Sequence, residues 1–563
     1  MQDFEYFLEK TGEVGRVTQI FESIIYAEGL PGVHPGEVVL FEGDHVGYTL
    51  SLHAKNIEIL LLSPTTIPVG TRLTRTTSQL KVKINTDYLG KSFASQNFEK
   101  ELLAFAFTPE EQKNAPAPPS APAASASSSD PAVKPASDPA AEETRAIDTS
   151  SILFSERRKL SDPFPTGIRI IDLLIPIAKG QRQLVIGDRK NGKSAFLLQA
   201  LQNQTDENVV CIYASIGKPK SQLQRITNFF ANSSITHRSI FLSSSSADRP
   251  GLIFLIPYVA MTFAEYFRDQ GRDVVIVLDD LTTHARFYRE TMLLARRFPG
   301  RNSYPGDIFY VHARLIERAG SSPKGTITCL PIAESVMGDL SGFIQTNLMA
   351  MTDGHIFFDS NLFDEGQRPS ISPFLSVTRV GEQVQTQVTR ELGRQLHSFL
   401  VSYEKIKQFK HFQRELNDNI QLQFNTGDKL TNYLSQSSLS NTALPLAASI
   451  ATTILNGWWK DYPIEQMRNQ IRMITDMYNK DPAVKKKIDD VVHNAKSLKE
   501  LQTALEGFRE MFFSVSTPPS APTPVTSTAQ VTPPTPSPQV DSSLPTRPIE
   551  PTPAKQVKPK KLK

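Results

Sequence analysis

Three hydrophobic rhythms follow one another along the chain. Between residues 12 and 90, short apolar and β-branched runs are punctuated by turns. Examples are Gly-Glu-Val-Gly-Arg-Val at 12–17, Glu-Val-Val-Leu-Phe at 37–41 and Ile-Glu-Ile-Leu-Leu-Leu at 57–62, with Gly43, Gly47 and Gly70 between them. Short strands broken by glycines predict a small β-barrel or sandwich. From about 150 to 380 the apolar runs alternate with helical stretches, which predicts a parallel sheet covered by helices. Its strand candidates are Gln183–Ile186, Val209–Ile216, Val274–Leu278, Thr326–Ile332 and His355–Asp359. Beyond Gly381 the period becomes helical. Val388, Leu392, Leu396, Phe399, Leu400, Tyr403 and Ile406 fall three or four apart and so share one face. That spacing predicts a helical C-terminal domain reaching about residue 513.

Two stretches lack any such rhythm. Eight of the 40 prolines lie between Pro109 and Pro139, and thirteen between Pro518 and Pro559. Residues 109–147 are rich in Ala, Pro and Ser with almost no large apolar side chain, so burial there cannot offset chain entropy. A flexible, disordered linker is expected over 109–147, and a disordered Pro/Thr-rich basic tail over 514–563. The fold class expected is multidomain α+β, with residues 1–108 as the barrel, 148–381 as a central α/β domain and 382–513 as the helical domain.

Charge and cysteine usage narrow the function classes. The net charge is +3, but residues 516–563 alone contribute +4, which leaves a body at −1. So balanced a body carries no electrostatic footprint for nucleic acid. Cys211 and Cys329 sit inside apolar runs, as buried thiols in a reducing compartment do. The N-terminus, Met-Gln-Asp-Phe-Glu, has neither a basic n-region nor an apolar h-region, so no secretory signal is expected. The longest apolar run, Leu252–Phe263, is interrupted by Pro257 and is too short to cross a bilayer. With no transmembrane segment expected, membrane association would come through partners.

The candidate chemistry is concentrated in Gly187-Asp188-Arg189-Lys190-Asn191-Gly192-Lys193-Ser194, a G-x-x-x-x-G-K-S loop. An apolar strand precedes it and a helical stretch follows. That is the context in which backbone N–H groups and a helix N-terminus converge on phosphate oxygens. Gly187 and Gly192 leave room for backbone approach, Lys193 supplies charge to the terminal phosphates, and the Ser194 hydroxyl can ligate Mg²⁺. Val274–Leu278 then ends in Asp279-Asp280, placing carboxylates at the edge of a buried strand. Asp279 there can hold the Mg²⁺ shell opposite the loop. ATP or ADP with Mg²⁺ is therefore the expected ligand.

Further motifs occur in a definite order: TGIRIIDLLIPI from Thr166, GDRKNGKSA, CIYASIGKPKS from Cys211, IVLDDL from Ile276, RNSYPGD from Arg301 and LSVTRVG from Leu375. Together they resemble the motif set of F-type ATP synthase alpha subunits over most of residues 12–420. The resemblance implies a β-barrel, a RecA-like P-loop domain and a helical domain. It also implies a non-catalytic, regulatory nucleotide site within an ion-translocating ATP synthase. Catalytic beta subunits carry a water-polarising glutamate just after the strand that follows the phosphate-loop helix, and alpha subunits usually carry glutamine. This chain has Lys218, which has no acceptor while protonated and otherwise reads as an exposed turn residue.

By the same resemblance, Arg379 matches the arginine finger that reaches the neighbouring subunit's catalytic site. Ser376 matches a position tied to activity there, and Phe363 with Arg368-Pro369 the surroundings of adenine. The implied partners are a catalytic beta subunit in an alternating hetero-hexamer, a central-stalk gamma subunit, a delta or peripheral stalk and, indirectly, the membrane ion-translocating sector. No nucleic acid is expected. The implied location is peripheral, at the cytoplasmic face of the cell membrane. Family members usually carry an N-terminal helical extension, whereas this chain starts almost at the barrel, which leaves stator attachment open. Lys190 and Asn191 replace the usual Gln-Thr in the loop, and the linker and tail are additional.

Two other readings compete. A hexameric RecA-type RNA helicase of the transcription-terminator kind shares the barrel-plus-RecA arrangement. Residues 1–108, however, hold nine Lys/Arg against thirteen Asp/Glu and no basic-aromatic strand pattern for stacking bases. A self-sufficient ATPase would need some other carboxylate as base, for instance Glu334.

Overall fold

The structure is a computed structural model that describes residues 2–43, 45–63, 66–95, 143–410, 418–437 and 440–513. The stretches 109–142 and 514–563, expected as linker and tail, lie outside the described residues.

Strands β1 Gly15–Phe21, β2 Ile24–Glu28, β3 Glu37–Phe41, β4 His45–Leu52, β5 Ile57–Leu61 and β6 Arg72–Gln79 close into a barrel in the order β1-β2-β5-β4-β3-β6. Closure satisfies every strand edge, and the alternation of side chains sends half of them inward. Ile25, Val39, Phe41, Ile59, Leu61 and Leu73 fill the interior. Ile24, Val38, Leu40, Val46 and Leu60 point outward and are buried against the next domain. Gly47 is glycine for lack of room, since a Cβ there would meet Ile59 at 2.5 Å and Phe41 at 2.9 Å. The chain does not start directly at the barrel, because residues Gln2–Thr11 form a helix whose Phe4 and Phe7 are buried and which packs on β6.

After the barrel the chain threads into its neighbour. β7 Lys81–Ile84 pairs antiparallel with β9 Glu143–Ala146, and β8 Ser92–Ala94 adds in parallel to the edge of the central sheet. Residues 143–147, expected as the end of the linker, are thus a strand followed by the buried Ile147. Buried Arg318 donates to the Ile147 carbonyl and to both oxygens of Glu265, so an ion pair inside the protein ties down the point where the chain re-enters. Nothing in residues 143–147 signals this, because the stabilising partners, β7 and the buried Arg318–Glu265 pair, lie far away along the chain.

The central sheet contains β10 Gln183–Gly187, β11 Val209–Lys218, β12 Ser239–Ser245, β13 Asp273–Asp279, β14 Gly320–Ser321, β15 Thr326–Glu334, β16 Gly354–Phe358 and β17 Val377–Thr378. Its order is β17-β16-β10-β15-β13-β11-β12-β8, with β14 paired antiparallel on β15. Neighbours are parallel except β17, which is antiparallel to β16. Both faces are covered, which is why the strands read as unbroken apolar runs. Val210, Ile212, Ala214 and Ile216 of β11 face one core, while Val209, Cys211 and Tyr213 face the other.

All five strand candidates are present, and β12 is a further strand. Its sequence, Ser-Ile-Phe-Leu-Ser-Ser-Ser, carries four hydroxyls, yet every residue is buried. Serine hydroxyls can be buried where carbonyls accept their protons, as the Phe93 carbonyl does for Ser243 and the Ser215 carbonyl for Ser244.

The run around Pro257 is also longer than its apolar core suggests. Pro250–Asp269 is one 20-residue helix with Pro257 inside it, long and apolar enough to cross a membrane. It is the one such helix among the described residues, and 89% of its most apolar window is buried between barrel and sheet, as a core helix is. The C-terminal helices begin with Gln387–Lys410, whose Val388, Leu392, Leu396, Leu400 and Tyr403 are buried as the period requires. They share a continuous core with the underside of the sheet.

Two imidazoles lie inside this framework. His284 Nδ1 stands 3.1 Å from His312 Nε2, and the other ring nitrogen of His284 faces the Phe254 carbonyl at 3.1 Å. Burial pushes His284 down to about 4, and burial with its neighbour pushes His312 well below the ordinary histidine value. A depressed histidine contributes stability above its unfolded value and loses it as pH falls towards the folded one. Stability is therefore expected to fall between pH ~6.5 and ~4, by up to about 3 kcal/mol for His284 alone. Denaturant unfolding at several pH values checks this, and a His284→Asn variant should show a flatter profile.

Candidate functional site

The phosphate loop lies where β10 ends and the helix Lys193–Gln202 begins, at the carboxyl end of a parallel strand. Its two glycines serve different ends. Gly192 has φ 91°, a conformation strained for any other L residue, and a Cβ there would meet nothing within 4 Å, so the loop's mouth is open. Gly187 is constrained instead by packing, because a Cβ would press on Phe358 of β16 at 2.6 Å. Lys190 also has positive φ, 66°, and its side chain is exposed.

The loop is braced from below. Asp188 accepts from Ser335 Oγ at 2.6 Å, from Gly338 N–H and from Ser360 Oγ at 2.8 Å. Burial works against its charge, but these hydrogen bonds and Lys193 hold the carboxyl below its ordinary value. Asn191 Nδ2 donates to Ser360 Oγ at 2.9 Å, and Ser370 Oγ donates to the Asn191 carbonyl. Both loop side chains thus serve the loop's shape. Lys193 is largely buried and donates to the Gly187 carbonyl at 2.7 Å and the Asp188 carbonyl at 2.5 Å. Burial lowers its pKa.

Beside the loop, Ser194 Oγ donates to Asp279 Oδ2 at 3.1 Å and Tyr213 Oη donates to the same oxygen at 2.6 Å. Ser194 and Asp279, expected together at a Mg²⁺, are neighbours. A hydroxyl beside a buried carboxylate at the loop's mouth fits the hydrated magnesium of a nucleotide. Lys218 is not an exposed turn residue: it closes β11, and its Nζ lies 2.8 Å from Asp279 Oδ1 and 2.6 Å from Asp280 Oδ2. Burial opposes the ammonium, but the two carboxylates outweigh it and raise its pKa well above the ordinary lysine value. Asp280 also accepts from the Thr283 N–H and so caps the helix Leu281–Leu294, while Lys218 holds its carboxyl ionised. Tyr213 was not expected in the site, and of the Asp279-Asp280 carboxylates only Asp279 had been given a role. Tyr213 reads as core in an apolar run, and only the pairing of β11 with β13 turns its hydroxyl to Asp279.

Glu334, the alternative base, accepts from Arg189 Nε at 2.9 Å and lies 3.5 Å from Arg286 Nη1. That carboxylate is thus already engaged by two guanidiniums.

The remaining candidates form two groups. Arg368 stacks its guanidinium 3.5 Å from the Phe363 ring centroid and donates to the Phe363 carbonyl, and a cis peptide joins it to Pro369. This cluster follows β16, whose end is parallel to the start of the phosphate loop. Arg379 and Ser376 flank β17 at the far edge of the sheet. The Arg379 side chain is exposed, donates to the Thr352 carbonyl at 3.2 Å, and has no ion pair among the described residues. Ser376 is fully employed: its Oγ donates to the Ser372 carbonyl at 2.6 Å and accepts from the Phe357 N–H at 2.9 Å.

A glycine-bordered loop running from a parallel strand into a helix, with its lysine turned inward and an aspartate at the end of another strand of the same sheet, marks the P-loop nucleotide-binding class. Residues 167–378 match the ATP synthase alpha/beta family, nucleotide-binding domain, and residues 385–508 match the ATP synthase alpha/beta chain, C terminal domain. ATP synthase subunit alpha of Carsonella ruddii (strain PV) is 34% identical over 435 residues, which cover 75% of this chain and 84% of that one. The subunit alpha of Clostridium botulinum (strain Eklund 17B / Type B) is 32% identical over 464 residues, 82% of this chain and 86% of the relative. That of Buchnera aphidicola subsp. Baizongia pistaciae (strain Bp) is 32% identical over 503 residues, 85% and 91%. The chain belongs to the ATP synthase alpha/beta family and is a homologue of its alpha subunits. Family membership decides between the sequence readings against the RNA helicase.

Proposed function

We propose that this chain is the non-catalytic, nucleotide-binding alpha subunit of an F-type ATP synthase, and that it lends Arg379 to a neighbouring catalytic subunit. The observation that supports the reading is Lys218: an ammonium clamped by two aspartates occupies the position at which the resemblance puts a water-polarising glutamate in catalytic subunits. ATP or ADP would lie with its phosphates on the loop 187–194, Lys193 leaving the Gly187 and Asp188 carbonyls to meet them. Magnesium would be held by Ser194, with Asp279 orienting its water shell, and would supply charge neutralisation at the terminal phosphates. Phe363, Arg368 and Pro369 would border the base.

Arg379 is suited to act outside its own chain, being exposed and committed to a single carbonyl. Ser376 is a positioning residue in this reading, since its hydroxyl bridges β16 and the turn that leads to Arg379. The partners proposed are a catalytic beta subunit in an alternating ring, the gamma stalk, a peripheral stalk and, through them, the ion-translocating sector at the cytoplasmic face of the membrane. The purified full-length chain is expected to bind ATP and to release phosphate no faster than a blank. Steady turnover at a rate of order 1 s⁻¹, ordinary for an enzyme, would refute the non-catalytic reading.

A further inference from the structure

This inference rests on the nucleotide-binding reading above and concerns the cation that the site already contains. β11 and β13 run in parallel with Ser215 opposite Asp279, and β11 continues three residues further, to Lys218. The extension carries the lysine over the end of β13, where its ammonium meets Asp279 Oδ1 at 2.8 Å and Asp280 Oδ2 at 2.6 Å. The remaining oxygens are occupied as well. Asp279 Oδ2 accepts from Ser194 and Tyr213, and Asp280 Oδ1 accepts from the Thr283 N–H at 2.5 Å. The two carboxylates are 2% and 0% exposed, and the lysine side chain 14%.

In a phosphate-loop site an aspartate at this strand end attracts the hydrated Mg²⁺ that travels with the nucleotide. Here the same aspartate is half neutralised by a fixed ammonium. A divalent ion approaching it finds one of its oxygens already taken by that ammonium and is repelled by the ammonium's charge, more strongly in a buried setting than in water. The triphosphate, by contrast, meets cationic side chains whatever the metal concentration: Lys193 lies within the loop, and Lys218 sits on the carboxylate that also accepts from the loop's Ser194.

We propose that Lys218 is a tethered counter-cation for the bound triphosphate, so that this site binds ATP nearly as well without Mg²⁺ as with it. A lysine that merely stabilised β11 would leave metal dependence untouched, which separates the two roles.

The test is calorimetric titration of the full-length chain with ATP, once in excess Mg²⁺ and once in EDTA. The wild-type affinities are expected to agree within about threefold, and those of a Lys218→Gln variant to differ by about tenfold or more, within the usual range of coupling between two ligands. Lys218→Arg keeps the charge and should keep the narrow gap. A tenfold or larger loss of wild-type affinity in EDTA overturns the proposal, even if the glutamine variant fails to fold. Equal metal dependence in wild type and glutamine variant overturns it too. Absence of ATP binding in both media, by a protein with a normal melting transition, instead overturns the nucleotide reading and takes this inference with it.

Discussion

Replacing Arg379 by alanine is expected to leave ATP binding by this chain unchanged and to slow hydrolysis by the reconstituted complex about 10³-fold or more, the range in which a guanidinium at the transferring phosphoryl group acts. The geometry supplies the reason for both halves. Arg379 follows β17 at the sheet edge, while the phosphate loop follows β10, with β16 between them. Among the described residues no hydrogen bond or ion pair joins Arg379 to residues 187–194. Its contacts are the Thr352 carbonyl, through the side chain, and the Asp353 carbonyl, through its own N–H. Truncation therefore removes no partner from a buried carboxylate, and the melting temperature should stay near wild type. Lysine would not restore the rate, because a point charge lacks the planar fork that spans two phosphoryl oxygens. Normal complex activity in Arg379→Ala would remove the finger role from this residue.

Replacing Lys193 by alanine should weaken ATP binding by the chain itself about 10²-fold or more, the worth of one or two charge-assisted hydrogen bonds. Lys193 is the only loop side chain whose amine points into the loop rather than outward or towards a brace. Asp188 is committed to Ser335, Gly338 and Ser360, Arg189 to Glu334, and Asn191 to Ser360. The two carbonyls that hold the amine border an open mouth, so water can replace it and the fold should survive. Calorimetric titration with ATP measures the loss, and a melting curve separates it from unfolding. Wild-type affinity in Lys193→Ala would move the phosphates away from this loop.

These effects were legible in the sequence to different degrees. Local patterns reached the barrel strands, the parallel-sheet strands, the phosphate loop and the amphipathic helix that starts the C-terminal domain, because each declares itself within ten or twenty consecutive residues. The helix Gln2–Thr11 and the re-entry strand Glu143–Ala146 lacked such local declarations. The first was masked by an expectation that the barrel came at once, and the second by a proline-rich neighbourhood. Serines hid β12, since their burial depends on carbonyls of β11 and on the chain before residue 95.

The chain's order of residues by itself determined the outline of this protein: a barrel, an α/β domain carrying a G-x-x-x-x-G-K-S loop and a helical domain. Those properties follow from composition, periodicity and spacing, which are local. What only the tertiary structure decided is where the Lys218 ammonium lies. Residues 62 positions apart in the chain become an ion pair because β11 and β13 are neighbours in register. A buried charge is held in place by partners that folding brings to it, and no stretch of the chain contains both.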